Sequence, residues 1–440
     1  MRARLLAGAA LALALGVSTA YAQDAQAPAS TAVVVGEPAQ APPEAAPVAA
    51  TPDGVSPDAA APPVVAAPPP APPPRSRPRP AENTDEGGLW GVSDRAEQDA
   101  QQSGQLERDP VLNAYIRDIA CRVSGPYCGD IRLYVMNRPF FNASMAPNGY
   151  MEVWSGLLLR VEDEAQLAFV LGHETGHYAE NHSIETMRTA RARANAALIL
   201  SIGLGAVGGG IIGDLIYLGT IASVFGFSRE KEMEADMIGY DHAVRAGYDP
   251  TAGTKLWNNL ITEGRASENP DVRRREARAS VFASHPLSAD RVEALRDRAA
   301  TATGGGETNR ERYRAAIRPF LDPWLRAELR RRDYGQTVIV LERLAAHNED
   351  LGVIEYYRGE INRIRRGEGD RERAIQHYTN AIAQPDAPAA SWRELGEYAA
   401  RDNRNAEAAA YFTTYLERAP GATDRTLVEA RIAQLTGGGQ

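Results

Sequence analysis

The chain has 440 residues, with 48 lysine and arginine residues against 57 aspartate and glutamate residues, and a formal net charge of −9. This length predicts two or three domains and excludes a single small module. The acidity argues against nucleic-acid binding, because duplex binding requires a basic surface that displaces counterions. With 44% hydrophobic and 24% charged residues, the composition excludes a chain that is disordered throughout or crosses a membrane many times.

The N-terminus has the pattern of a secretory signal peptide. Arg2 and Arg4 precede an apolar run over residues 5–17, and the small residues of 20–22 match a cleavage site. An uncleaved anchor is the alternative, but the apolar run is well short of the ~20 residues that a spanning helix needs. We therefore predict that residues 1–22 are an export signal.

A proline-rich spacer is predicted over residues 23–84. Residues 23–80 contain 17 of the 29 prolines, a composition that cannot bury a core and favours extended polyproline II. Its arginines, Arg75, Arg77 and Arg79, are expected to be solvated linker charges rather than a binding site.

The two cysteines, Cys121 and Cys128, flank a Gly-Pro turn between a predicted helix at about 108–122 and a predicted strand at about 131–136. In an oxidising compartment an even pair at this spacing indicates a structural disulfide. A metal site is the alternative, but the ligand-rich segments lie elsewhere. We predict a Cys121–Cys128 disulfide.

Residues 196–226 are apolar and almost uncharged, and by length they could span a bilayer. Eight of them are glycine, and each glycine costs about 1 kcal/mol of helix propensity relative to alanine. We predict a broken helical pair buried in the domain, with contact at the membrane surface and true insertion as the alternatives.

The C-terminal segment, residues 308–440, is predicted to be helical with an internal repeat. Ala374 and Tyr378 recur 34 residues later as Ala408 and Phe412, which is the period of tetratricopeptide repeats. A helical bundle without repeats is the alternative. Repeats of this kind supply a concave surface for a partner.

The segment His173-Glu174-Thr175-Gly176-His177 lies inside a helical pattern and carries the chemistry. The i, i+4 spacing places both imidazoles on one face, where one Zn²⁺ can bind a nitrogen from each. Glu174 can act as general base on water at the metal. Two surface histidines on an amphipathic helix are the alternative.

A third ligand is expected from a second helix, because a catalytic zinc of this type takes two histidines and a carboxylate. Glu232, in the acidic segment 228–236, is the candidate. Asp236, one turn later, shares its face and can accept the free ring N–H of a zinc-bound histidine. Glu230 and Glu234 lie about half a turn away and are predicted to be solvated.

These residues carry a resemblance to a known family. The match comprises His173, Glu174, His177, Glu232, Ala235 and Asp236, which resemble the motifs of the gluzincin zinc metallopeptidases that include HtpX and the CAAX prenyl proteases. The similarity covers about residues 108–300, and extends to residues 142–158 and to His285 with Arg291. With its signal peptide and repeats, the chain is most similar to the periplasmic β-barrel assembly-enhancing branch.

The resemblance implies a mainly α (α+β) fold. A zincin-type metallopeptidase domain over residues 85–303, with a small sheet that offers an edge strand, would precede the α-helical repeat domain of residues 308–440. It also implies one Zn²⁺ per chain, held by His173, His177 and Glu232.

Further site residues are implied by the resemblance. An edge strand that pairs with the substrate backbone would comprise Gly149, Tyr150, Met151, Glu152 and Val153; a closed sheet edge is the alternative. His285 and Arg291 resemble a pair that stabilises the oxyanion, although in periplasmic relatives the matching histidine can instead cap the zinc. The remaining histidines are expected to be ordinary structural or surface residues: His182, His242, His347 and His377.

The function that the resemblance implies is that of a periplasmic zinc metalloendopeptidase acting on misfolded or stalled envelope and outer-membrane proteins. The repeats would dock a substrate or a partner such as the outer-membrane assembly machinery, and peripheral membrane contact would be compatible with residues 196–226. One alternative is a periplasmic chaperone or adaptor that works through its repeats. The other is a membrane-anchored quality-control protease.

Overall fold

The computed structural model describes residues 76–203, 227–275, 285 and 288–437. The predicted signal peptide, nearly all of the predicted spacer and most of the apolar segment 196–226 lie outside these residues. No helix in the described ranges is long and apolar enough to cross a membrane.

Helices dominate the described chain, together with one small sheet, which confirms the predicted mainly α fold. The helices are α1 (Asp85–Gln102), α2 (Pro110–Ser124), α3 (Ser155–Leu158), α4 (Glu164–Ala179), α5 (His182–Gly203), α6 (Arg229–Arg245), α7 (Ala252–Arg265), α8 (Pro270–Arg275), α9 (Ala289–Ala300), α10 (Arg310–Ile317), α11 (Leu321–Leu329), α12 (Tyr334–Ala345), α13 (Leu351–Arg365), α14 (Asp370–Ile382), α15 (Ala390–Arg401), α16 (Asn405–Arg418) and α17 (Arg425–Gly437). The strands are β1 (Arg132–Met136), β2 (Ala143–Met145) and β3 (Tyr150–Trp154).

Strand β3 lies at the centre of the sheet, parallel to β1 on one side and antiparallel to β2 on the other. The predicted edge strand is therefore wrong for Gly149, Tyr150, Met151, Glu152 and Val153, because neighbouring strands flank β3 on both sides. The alternating pattern located the strand, but it could not show which strands pair with it. Of the two edges among the described strands, β2 is the one that packs on α4.

Helices α4 and α6 cross closely, and this crossing positions the site. Asp163 caps the N-terminus of α4 and Ser228 caps that of α6. At the crossing, a Cβ on Gly239 would lie 2.7 Å from the backbone nitrogen of His173. Only glycine allows this approach, and it brings the acidic face of α6 against the motif of α4.

One hydrophobic core extends from Leu112 in α2 to Tyr398 in α15. The predicted peptidase segment, residues 85–303, and the predicted repeat segment, residues 308–440, therefore share this core rather than forming two separate ones. The boundary between them stays a prediction.

The helical pairs α13–α14 and α15–α16 repeat one contact. Gly359 faces the ring of Tyr378, and Gly396 faces the ring of Phe412, so closely that a Cβ would lie 2.5 and 2.8 Å from the respective rings. The two aromatic residues are the ones that recur in the sequence. This supports the internal repeat, whereas its assignment to the tetratricopeptide class stays a prediction.

The end of the predicted spacer is bound to the folded part of the chain. The guanidinium of Arg77 lies 4.3 Å from the centroid of the Tyr178 ring. It also donates hydrogen bonds to the carbonyl of Ala179 at 2.7 Å and to the side chain of Asn181 at 2.8 Å. The prediction of a solvated linker charge is therefore wrong for Arg77, because its partners come from a distant part of the sequence.

The two cysteine sulfur atoms lie at bonding distance. The Sγ atoms of Cys121 and Cys128 are 1.98 Å apart, across the short 3-10 turn Gly125–Tyr127 that follows α2. This position supports the predicted disulfide in an oxidising compartment.

Candidate metal centre

Four buried side chains converge where α4 and α6 cross. The Nε2 atoms of His173 and His177 are 3.1 Å apart, and the carboxylate of Glu232 lies 3.6 Å from each. Nδ1 of His285 lies 2.9 Å from Oε1 of Glu232 and 3.4 Å from Nε2 of His173. The structure thus brings the three predicted ligands together, and it adds His285 to them.

These spacings suit a tetrahedral metal ion. Zinc binds histidine nitrogen and carboxylate oxygen at about 2.0–2.2 Å, which separates neighbouring donor atoms by roughly 3.4 Å. A histidine ligand must also be uncharged, and burial holds the pKa of His177 well below its usual value. The donor set and the lowered pKa of His177 therefore fit the implied metal.

Asp236 and Arg291 form a layer behind these residues. Oδ1 of Asp236 is 3.0 Å from Nδ1 of His173, where a carboxylate can fix the ring orientation. Arg291 donates to both oxygens of Asp236 at 2.6 and 2.8 Å, and its Nη1 lies 2.8 Å from Oε2 of Glu232. Burial alone would raise the pKa of Asp236, but the Arg291 guanidinium outweighs it and lowers the pKa. In this geometry Arg291 holds Asp236 and Glu232 in place, and its predicted contact with an oxyanion stays a prediction.

Glu174 lies beside the ligand cluster and faces strand β2. Its Oε1 is 3.5 Å from Nε2 of His285, and the backbone N–H of Met145 donates a hydrogen bond to its carboxylate. Burial raises the pKa of Glu174, because the charged form is poorly solvated there. A buried carboxylate with a raised pKa is suited to accept a proton and release it again.

His182 is a site residue that the sequence analysis missed. Its Nδ1 lies 2.9 Å from Nδ1 of His177, and its Nε2 lies 3.2 Å from Oε2 of Glu234. The ring of Phe227 stacks on His177 at a centroid distance of 3.9 Å. The prediction of an ordinary histidine is therefore wrong for His182, whereas Glu234 is solvated as predicted, with a side chain that is 54% exposed, and also contacts His182. Helix α4 ends at Ala179, and a left-handed residue two positions later starts the turn that carries His182 back to the site.

Residues 106–299 match the model described as Peptidase family M48. Metalloprotease LoiP of Escherichia coli (strain K12) is 33% identical over 164 residues, which cover 36% of this chain and 58% of that relative. Mitochondrial metalloendopeptidase OMA1 of Schizosaccharomyces pombe is 32% identical over 167 residues, 38% of this chain and 45% of that relative.

The beta-barrel assembly-enhancing protease of Escherichia coli (strain K12) is 27% identical over 206 residues, which cover 45% of this chain. The chain spans 41% of that relative's length. These matches confirm the resemblance that the motifs indicated, and the matched segment contains all four converging side chains. Residues 106–299, which are less than half of the chain, are therefore similar to peptidase family M48.

Proposed function

We propose that the chain is a zinc-dependent metalloendopeptidase of the bacterial periplasm that hydrolyses misfolded or stalled envelope proteins. The observation that carries the proposal is the convergence of His173, His177 and Glu232 from two crossing helices, with Glu174 beside them. The predicted signal peptide, the Cys121–Cys128 disulfide and the relation to beta-barrel assembly-enhancing proteases support the periplasmic location.

His173, His177 and Glu232 would hold the zinc ion. Bound there, zinc supplies a Lewis acid that polarises a peptide carbonyl and acidifies water. Glu174 accepts a proton from the attacking water and passes it to the leaving amine. Its burial and raised pKa favour this return of the proton.

The substrate backbone would lie along β2 instead of the predicted β3. In an antiparallel pair, alternate residues direct their backbone groups away from the partner strand. The carbonyl of Asn142 accepts a hydrogen bond from Trp154, and the backbone N–H of Ala146 donates one to Tyr150. In this register the backbone groups of Ala143 and Met145 point away from β3. Because Met145 also donates to Glu174, a peptide that pairs with this edge would pass beside the general base.

His285 would act as a cap on the metal that restrains basal cleavage. Burial alone would lower the pKa of His285, but the carboxylates of Glu232 and Glu174 raise it to about 9. Binding to a metal would displace that proton. With His285 in place, all four positions of a tetrahedral ion would be filled, and a substrate would have to displace the imidazole.

The helical repeats would dock a substrate or a component of the outer-membrane assembly machinery. The repeats would recognise the substrate or partner and take no part in the hydrolysis. In the described chain, the buried cluster that could hold a metal lies within residues 173–285, outside the repeats.

The proposal is tested by replacing the general base while keeping the metal. Zinc-loaded wild type should cleave a urea-unfolded outer-membrane porin, and Glu174→Gln should be slower by a factor of about 10² to 10⁴ at equal zinc content. Glu180→Gln, an exposed glutamate just after α4, is the matched control and should cleave normally. Cleavage by Glu174→Gln at the wild-type rate would refute the mechanism.

A further inference from the structure

A cavity of about 420 Å³ with four arginines in its wall lies between the first helices of the two repeated pairs, α13 and α15. This volume is within the range of small-ligand pockets. The arginines are Arg363, Arg366, Arg371 and Arg401, and the glutamates of the wall are Glu394 and Glu397. In a chain of net charge −9 the wall of this cavity has an excess of positive charge.

Two of the arginines are held by the protein itself. Arg363 donates to both carboxylate oxygens of Glu360 at 2.7 and 2.6 Å, and Arg371 pairs with Asp402. These pairs hold two walls of the cavity in place. Because Arg363 and Arg371 are already paired, an anion from outside the chain would bind to the other groups of the cavity wall.

Arg366 and Arg401 are the other two arginines of the wall. Both are exposed, and the guanidinium group of neither makes a hydrogen bond or ion pair with a residue in the part of the chain that the structure describes. Arg366 directly follows the last residue of α13 and has a left-handed backbone, φ +56°. Its backbone N–H donates a hydrogen bond to the carbonyl of Asn362. The backbone is thus fixed while the guanidinium remains available.

Tyr398 is the aromatic residue in the wall of the cavity. Its ring is 6% exposed and lies 5.5 Å from the Arg371 guanidinium and 5.8 Å from that of Arg401. Its hydroxyl makes no hydrogen bond within the described residues, so it can donate one to a ligand. A hydroxyl donor in the same cavity wall as the two available guanidinium groups of Arg366 and Arg401 can help to bind an anion.

We propose that this cavity binds an acidic peptide segment of a protein partner through the side-chain carboxylate of an aspartate or glutamate. Guanidinium groups bind carboxylates through paired N–H donors. The carboxylates of Glu394 and Glu397 in the same wall disfavour a dense array of phosphates, such as a lipid surface, more strongly than a single carboxylate. The inference rests on the proposed docking role of the repeats and is independent of the peptidase chemistry.

The test selects ligands without cleavage. A phage-displayed library of short random peptides with free C-termini is panned on the full chain carrying Glu174→Gln. We expect enrichment of aspartate and glutamate. Binding of a selected peptide, followed by fluorescence anisotropy, should weaken about tenfold or more in Arg366→Gln/Arg401→Gln. Glu397→Gln should bind more tightly, which loss of fold could not produce.

The matched control is Arg296→Gln/Arg330→Gln, which removes the same charge from exposed positions outside the cavity. It should bind the peptide as the parent does. The proposal is overturned if the selected peptides lack acidic residues, or if the cavity variant binds them equally well. It is also overturned, in favour of a lipid surface, if the cavity variant loses binding only to phosphatidylglycerol vesicles. Failure of the peptidase proposal would leave these binding results unchanged.

Discussion

His182 should set the zinc affinity of the site through His177. When His177 binds a metal through Nε2, its Nδ1–H needs an acceptor, and Nδ1 of His182 lies 2.9 Å away. Because His182 is only 2% exposed, a water molecule cannot readily take its place as the hydrogen-bond acceptor of His177. Loss of such a partner lowers metal affinity about 10- to 100-fold, which corresponds to about 1.4–2.8 kcal/mol. We therefore expect His182→Ala to weaken zinc binding by this factor.

Glu234 should matter far less, although it bonds to His182. Its side chain is 54% exposed, and pairs at such positions contribute about 0–1 kcal/mol. Glu234→Gln should therefore weaken zinc binding less than about fivefold. Glu230→Gln, on the exposed first turn of the same helix, is the matched control and should have no effect.

The assay is competition for zinc between each protein and a fluorescent chelator. Thermal unfolding of the metal-free proteins separates loss of metal affinity from loss of fold, and His182→Gln, which retains an acceptor, should recover part of the affinity. If His182→Ala binds zinc as tightly as the wild type, the assigned positioning role is refuted.

Three further predictions follow from the geometry. His285→Ala should raise basal cleavage, because it vacates one of the four donor positions; a lower or unchanged rate would contradict the cap. Arg160 is 1% exposed between the buried carboxylates of Glu263 and Glu328, which also pair with Arg343 and Arg331, so Arg160→Met should cost about 1–3 kcal/mol in urea unfolding through its lost hydrogen bonds. A cost of Arg160→Met below about 1 kcal/mol would contradict the assigned pairing. Burial raises the pKa of Asp163 from 3.8 to about 6, so the folded state binds the Asp163 proton more tightly than the unfolded state does. The free energy of unfolding should therefore fall by up to about 3 kcal/mol as the pH rises from below 3.8 to above 6. Asp163→Asn, which retains a capping side chain, should flatten this slope in unfolding measurements, and an unchanged slope would count against the shift.

Local patterns predicted much of the site. The i, i+4 spacing of His173 and His177 follows from helix geometry alone, and the one-turn spacing of Glu232 and Asp236 placed both carboxylates on one face. The structure brings all four together because α4 and α6 cross closely at Gly239. That closeness is a property of the pair of helices, and neither helix reveals it alone.

The predictions that were wrong depended on contacts between distant segments. The alternation of β3 is that of a strand, but its central place follows from pairing with β1 and β2. The contacts of Arg291 are of the same kind, because its partners Asp236 and Glu232 lie more than 50 residues away; its predicted contact with an oxyanion stays a prediction. His182 is close to the motif in sequence, but it reaches the site only because of the turn after α4. Pairing order and turn geometry of this kind cannot be read from one sequence without its fold.

The zinc content of the purified chain tests the central claim most directly. Elemental analysis should find about one zinc per wild-type chain and almost none in Glu232→Ala, while Glu230→Ala, two residues earlier on α6, retains the wild-type content. Wild-type protein without zinc after zinc loading, or Glu232→Ala with undiminished zinc, would contradict the assignment of His173, His177 and Glu232 as the metal ligands.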